Sequence, residues 1–170
     1  MAEYVILVDE LDNELGLMEK IDAHKKGVLH RAFSVFILNQ QNQLLLQQRA
    51  LHKYHSGGLW TNTCCSHPRK GESNIEAAHR RLQEEMGMDA PLEKLLHFVY
   101  RAEFDNNMIE HELDHVFVGQ SEKNPVINRE EVEAYKWMDL DELKTDINNN
   151  PEIYTAWFKI IFNEYYSAVV

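Results

Sequence analysis

The sequence predicts one α+β domain, a mixed β-sheet packed with helices, and three observations lead there. Short β-rich runs come first, a capped helix sits mid-chain, and the end of the chain is helical. No internal repeat, low-complexity tract or linker divides the chain, and 170 residues suit one domain with a real core better than two, so 1–170 reads as a single unit.

The first β-rich runs are Tyr4 to Val8, Leu15 to Lys20 after the turn signal Asp12-Asn13, Ala32 to Leu38, and Leu44 to Gln48. The last two straddle Asn39-Gln40-Gln41-Asn42 and read as a hairpin. Ala50 to Leu59, with Ser56-Gly57-Gly58, reads as a loop ending at Trp60. Ser73-Asn74-Ile75-Glu76 is a capping-box pattern. The helix it starts, 74–86, carries Ile75, Ala78, Leu82 and Met86 on one face and stops at Gly87. Further strands are expected at Leu95 to Ala102, Ile109 to Val118 and Glu133 to Met138. Helices follow from Asp139 and from Pro151, joined by a turn at Asn148-Asn149-Asn150-Pro151.

The composition, 44% hydrophobic and 26% charged, is that of an ordinary soluble globular chain. A formal net charge of -11 repels polyanions, and no Lys/Arg stripe interleaved with aromatics opposes it, so no nucleic-acid partner is expected. An anionic ligand would need a metal ion or converging basic side chains to hold it. The run Tyr4-Val5-Ile6-Leu7-Val8 lacks a basic flank or cleavage site, and no uncharged apolar stretch approaches the roughly 20 residues that cross a bilayer. A cytoplasmic protein without membrane contact, monomeric or weakly homodimeric, is expected. The adjacent Cys64 and Cys65 are badly placed to bridge each other, which leaves them as packing groups, metal ligands or reactive thiols.

Glu84 and Glu85 lie on the predicted helix with Arg80 and Arg81, and Glu72 stands just upstream. Pairing at helical spacing accounts for such a cluster on an arbitrary helix. Glu85, three residues from Leu82, lies near the apolar face, where a carboxylate needs a metal or a buried partner. These residues resemble a Nudix box, Gly-x5-Glu-x7-Arg-Glu-U-x-Glu-Glu-x-Gly-U with U aliphatic, and the resemblance implies a Nudix-type fold. Glu72, Arg80, Leu82, Glu84, Glu85 and Gly87 match; Ser66 stands for the first Gly, and Arg81 for the first Glu of the Arg-Glu pair. A cation at that position weakens a Mg²⁺ cluster built for pyrophosphate cleavage.

Trp60-Thr61-Asn62-Thr63-Cys64-Cys65-Ser66-His67-Pro68 is more specific and resembles the cysteine motif of the type I isopentenyl-diphosphate isomerases. The similarity runs on through Glu19-Lys20, His24, Leu29 to Ser34, Arg49-Ala50, Tyr100-Arg101 and Glu110-His111-Glu112. In a strand, Glu110 and Glu112 project to one side while His111 points away. The resemblance implies a first metal site of His24, His30, His67, Glu110 and Glu112, a donor set that suits Zn²⁺ or Mn²⁺, with Mg²⁺ also open. It implies a second site holding Mg²⁺ through Glu85 and the substrate diphosphate.

By the same resemblance Lys20, Arg49, Lys53 and Arg81 bind the diphosphate, Trp157 covers the alkyl end of the substrate, and Cys65, Glu112 and Tyr100 are catalytic. Cys64 has a packing role only. The implied reaction converts isopentenyl diphosphate to dimethylallyl diphosphate by protonating the alkene and removing an allylic proton. Glu112, helped by Tyr100, gives one proton and Cys65 takes the other, with the reverse assignment open. The alternatives are a Nudix hydrolase of a nucleoside diphosphate derivative, which would release phosphate or pyrophosphate, and a metal-loaded binding module, which would bind tightly without turnover.

Overall fold

The computed structural model describes residues 3–53, 55–104 and 106–169; Tyr54 of the expected loop and residues 1, 2, 105 and 170 of the expected domain lie outside these. Strands β1 (Tyr4–Val8) and β2 (Glu14–Glu19) pair antiparallel and run directly into helix α1 (Lys20–Lys26). Then follow β3 (His30–Leu38), β4 (Gln43–Arg49), the short β5 (Trp60–Thr61) and β6 (Cys64–Ser66), and helix α2 (Asn74–Met86). The second half is β7 (Leu92–Glu103), β8 (Ile109–Gln120), β9 (Val132–Asp139), α3 (Leu140–Asn149), a 3-10 turn at Pro151–Ile153 and α4 (Ala156–Val169).

Helix α1 was not anticipated; a strand was expected to reach Lys20. Its seven residues carry little periodicity, and it is fixed by its ends. The Glu19 side chain accepts from the Ile21 N–H at the start, and Gly27 closes it at φ 67°. Helix α2 meets its expectation at both ends, with a complete Ser73–Glu76 capping box and Gly87 at φ 58°. No other residue fits there, because a Cβ on Gly87 would lie 2.3 Å from the Val126 carbonyl oxygen. Ile75, expected on the buried face, is exposed; Ala77 is buried instead, alongside Ala78, Leu82 and Met86.

Strand β3 is the axis of the sheet. On one side it pairs in parallel with β8 along its whole length, His30 with Glu112 through Leu38 with Gln120. On the other it meets three strands in turn: β1 at His30, β6 at Phe33 to Val35, and β4 at Leu38. The expected hairpin is therefore joined only at its turn, since β4 spends the rest of its length against β9. Strand β7 completes the β8 side.

Alternation along β3 and β8 divides the core in two. Phe33, Val35, Ile37 and Phe117 pack with Ala78, Leu82 and Met86 of α2. Phe36 and Val116 pack on the opposite face with Leu143 of α3 and with Trp157, Phe158 and Ile161 of α4. Burying these aliphatic and aromatic side chains contributes on the order of 2 kcal/mol each. At the N-terminal end of β3 the face turned toward α4 is no longer apolar. His30 and Ser34 point there, as do Glu112 and Asp114 of β8, all buried.

Candidate metal centre and active site

Strand register places the acidic end of the site. His30 is the partner of Glu112 in the parallel β3–β8 pair, and its Nε2 lies 3.1 Å from Glu112 Oε2. Tyr100 is the partner of the same Glu112 in the antiparallel β7–β8 pair. Its hydroxyl lies 2.7 Å from Glu112 Oε1 and also contacts Glu110 Oε1, so that its one proton is shared between the two carboxylates.

The histidines are pre-set as lone-pair donors. In α1, His24 Nδ1 donates to the Lys20 carbonyl at 2.6 Å, and His30 Nδ1 donates to the Val28 carbonyl at 2.9 Å. Both rings therefore offer Nε2 to the interior. His67 Nε2 lies 2.8 Å from Glu112 Oε2. His24, His30, His67 and Glu112 present ligand atoms all within 4.8 Å of one another, a spacing that one divalent ion can bridge. Glu110 stands in a second set, with His24 and His55, rather than with His30 and His67 as the sequence implied. The two sets share His24.

Burial and charge pull the groups apart in protonation. Burial pulls His24 down to about 4, with the neighbouring His67 adding to it, and His67 is lowered by burial too. Burial also works against the charged form of His30, but the hydrogen bond to Glu112 overcomes it and the ring ends above its usual value. Burial opposes the Glu112 carboxylate as well, yet His67 and His30 hold it well below the usual range. The Tyr100 phenol and the Asp114 carboxyl are pushed far up, first by burial and then by the adjacent carboxylates. Asp114 Oδ2 accepts from Ser34 Oγ at 2.8 Å.

The cysteines are separated by strand alternation. Cys65 pairs with Ser34 and shares its face, whereas Cys64 pairs with Val35 and turns toward α2. Buried polar side chains hold this segment: Asn62 Nδ2 donates to the Val35 and Cys64 carbonyls, and Thr63 Oγ1 donates to the Leu45 carbonyl at 2.7 Å. Both thiols are free. Burial pushes the Cys65 thiol up, and the Arg49 cation offsets only part of that. Cys64 does more than pack, since its thiol lies 3.4 Å from Glu85 Oε2 as a donor.

Glu85 has the buried partners that its place on α2 demanded. Oε1 accepts from Gln47 at 3.1 Å, and Oε2 accepts from Arg81 Nε at 3.1 Å as well as from Cys64. Oε1 keeps one lone pair for a further partner. Beside it opens a cavity of about 630 Å³ whose lining includes Lys20, Arg49, Lys53, Arg81, Arg69 and Lys70. The four basic residues expected at a diphosphate thus line one cavity together, with Glu85. A second cavity, of about 40 Å³, is lined by Glu112, Asp114, His55, Phe33 and Trp157 among others. Arg49, Cys65, Ser66 and His67 line both.

A family model described as the NUDIX domain matches residues 28–158. An isopentenyl-diphosphate Delta-isomerase 2 from Photorhabdus laumondii is 56% identical over 96% of this chain and 92% of its own. One from Aromatoleum aromaticum is 53% identical over 92% of this chain and 83% of its own. The chain belongs to the isopentenyl-diphosphate Delta-isomerase family. Its fold is that of NUDIX structures at low identity. A crystal structure from Deinococcus radiodurans superposes with a TM-score of 0.78 at 20% identity, over 96% of this chain and 99% of that one. A MutT protein from Methanosarcina mazei superposes with a TM-score of 0.67 at 18% identity, over 82% and 94%.

One residue of the site in this isomerase-family chain, His55, was missed from sequence, whereas Asp114 is legible as the continuation of the Glu110, Glu112 alternation. His55 sits in a loop rich in small residues, and nothing in its spacing marks it. Among the described residues, no helix of this isomerase-family member is long and apolar enough to cross a membrane.

Proposed function

We propose that the protein converts isopentenyl diphosphate to dimethylallyl diphosphate, with the diphosphate in the larger cavity and the five-carbon chain directed past Cys65 toward Glu112. The observation that carries the reading is that the two cavities adjoin, with Arg49, Cys65, Ser66 and His67 in the lining of both. A basic, solvent-facing end and a small aromatic-walled end are what a diphosphate ester of a short alkene requires. The names of the isomerase relatives agree with it.

In this reading Lys20, Arg49, Lys53 and Arg81 bind phosphate oxygens, and Glu85 offers its remaining lone pair to Mg²⁺ bound with the diphosphate. His24, His30, His67 and Glu112, joined by Glu110, hold Zn²⁺ or Mn²⁺. When bound, that ion fixes the charge and orientation of the carboxylates; the proton transfers belong to side chains.

Cys65 and Glu112 carry those transfers. Their displacements run in opposite directions, thiol up and carboxylate down, which sets their resting protonation states apart. The resting proton is thereby on Cys65, which favours the thiol as the acid that protonates the terminal alkene carbon and Glu112 as the base that takes the allylic proton. This is the second of the two orders left open by the sequence. Tyr100, held protonated against Glu112, positions the carboxylate and can relay its proton. Trp157, which lines the smaller cavity, faces the cationic intermediate, where an indole is stabilising.

Hydrolysis is disfavoured by Arg81, which pairs with Glu84 at 2.9 Å and Glu85 at 3.0 Å, the two carboxylates a cleaving Mg²⁺ cluster would use. The residue roles are tested by Cys65→Ala and Glu112→Gln. Each is expected to lower turnover by about 10²–10⁴-fold with the fold retained. A variant within a few-fold of wild type would remove that residue from the mechanism.

A further inference from the structure

His55 is buried in the loop between β4 and β5, and its contacts fix the ring completely. One face stacks on Phe104 with centroids 4.6 Å apart and planes within 8°, and its edge meets Trp157 at 5.9 Å and 84°. Nδ1 lies 3.1 Å from Ser56 Oγ, and Nε2 lies 2.7 Å from Glu110 Oε2. Ser56 Oγ is the hydrogen-bond partner of Nδ1, and Nε2 makes an ion-pair contact with the carboxylate.

Glu110 is thus gripped at both oxygens, by Tyr100 at Oε1 and by His55 at Oε2. The same Oε2 lies 3.9 Å from His24 Nε2, and Glu112 Oε2 lies 4.0 Å from that nitrogen. Donors about 2.1 Å from an ion can stand up to about 4.2 Å apart, so both carboxylates are within span of an ion held by His24. His55 Nε2 is aimed at Glu110 Oε2, 2.7 Å away.

We infer that His55 is a positioning residue for Glu110, holding that carboxylate at His24 so that it completes the metal centre, without itself being a ligand. The inference rests on the metal-centre reading above. It explains why the structure groups Glu110 with His24 and His55 and not with His30 and His67. A carboxylate with two flexible torsions, left without the His55 contact, would be free to swing away from the ion, and partners of this kind govern affinity by about 10–100-fold.

The test is Mn²⁺ binding by the full chain, followed by titration and by pulsed EPR of the bound ion, for wild type, His55→Phe and His55→Gln. The phenyl ring keeps the stacking on Phe104 but cannot donate, whereas the amide can donate without stacking. His55→Phe is expected to bind Mn²⁺ at least about 10-fold more weakly with an unchanged number of coupled histidine nitrogens. His55→Gln should recover part of the affinity. Should the phenyl variant not fold, His55→Leu against His55→Gln makes the same comparison.

Equal affinity in wild type and His55→Phe would overturn the inference and leave the metal centre standing. Loss of one coupled nitrogen would overturn it too, by making His55 a ligand. A wild-type protein that binds no Mn²⁺ would overturn the metal-centre reading and this inference with it.

Discussion

Tyr100 stands directly across the β7–β8 pair from Glu112, and its hydroxyl donates to Glu112 Oε1 at 2.7 Å while also reaching Glu110. One phenol therefore fixes two buried carboxylates two residues apart on one strand. Replacing it with phenylalanine leaves the ring packing against Phe98 intact and removes the one proton donor that the two carboxylates share. Tyr100→Phe is expected to lower kcat by about 10²-fold and to lower the unfolding midpoint by a few degrees, since buried carboxylates lose their donor. Steady-state kinetics and a thermal melt on the same preparation check both parts.

The basic cavity carries its own counter-charge. Glu131 contacts Lys53 and lies 3.3 Å from Arg81, and those cations hold its carboxyl below the usual range against the opposing effect of burial. A diphosphate entering the cavity competes with Glu131 for both cations. Glu131→Gln is expected to tighten inorganic pyrophosphate binding about 3–10-fold, the scale of one partly exposed ion pair of about 1 kcal/mol. Calorimetric titration with pyrophosphate measures it; weaker binding would make Glu131 a helper of the clamp.

The register that makes this site was legible in some places and hidden in others. Glu110 and Glu112 alternate with His111, so strand periodicity alone puts them on one side, and the capping box with Gly87 fixes α2 and hence Glu85. Parallel pairing of β3 with β8, which joins His30 to Glu112 across 82 positions, leaves no local trace in the sequence. Helix α1 went unseen because its seven residues are too few for periodicity, and its identity depends on Glu19 and Gly27 as caps. His55 was invisible for a similar reason. Its loop position is set by glycines and a neighbouring chain segment, while its partners Phe104 and Glu110 come from the far end of the fold.

His115 gives the protein a pH-dependent component away from the cavities. It lies buried 3.0 Å from Asp12 Oδ2, and burial pulls it from 6.5 to about 4 despite the pull of Asp12 in the other direction. The unfolded chain protonates near 6.5 and the folded one near 4, so the unfolded state takes up the proton first as pH falls. Stability present above about pH 6.5 is lost through the window down to about 4 and stays lost below it. After allowance for partial solvent screening the loss is roughly 2 kcal/mol. Urea unfolding between pH 7 and 4 should show a flatter dependence for His115→Gln than for wild type; identical slopes would assign the pH dependence to other groups.

The reaction assigned to Cys65 and Glu112 is a double-bond shift, with no bond to phosphorus broken. Metal-loaded protein and isopentenyl diphosphate in D₂O, followed by NMR, test it most directly. Dimethylallyl diphosphate carrying deuterium in its methyl groups is expected, with no phosphate or pyrophosphate released. Unchanged isopentenyl diphosphate in the presence of folded, metal-occupied protein, or release of pyrophosphate, would contradict it.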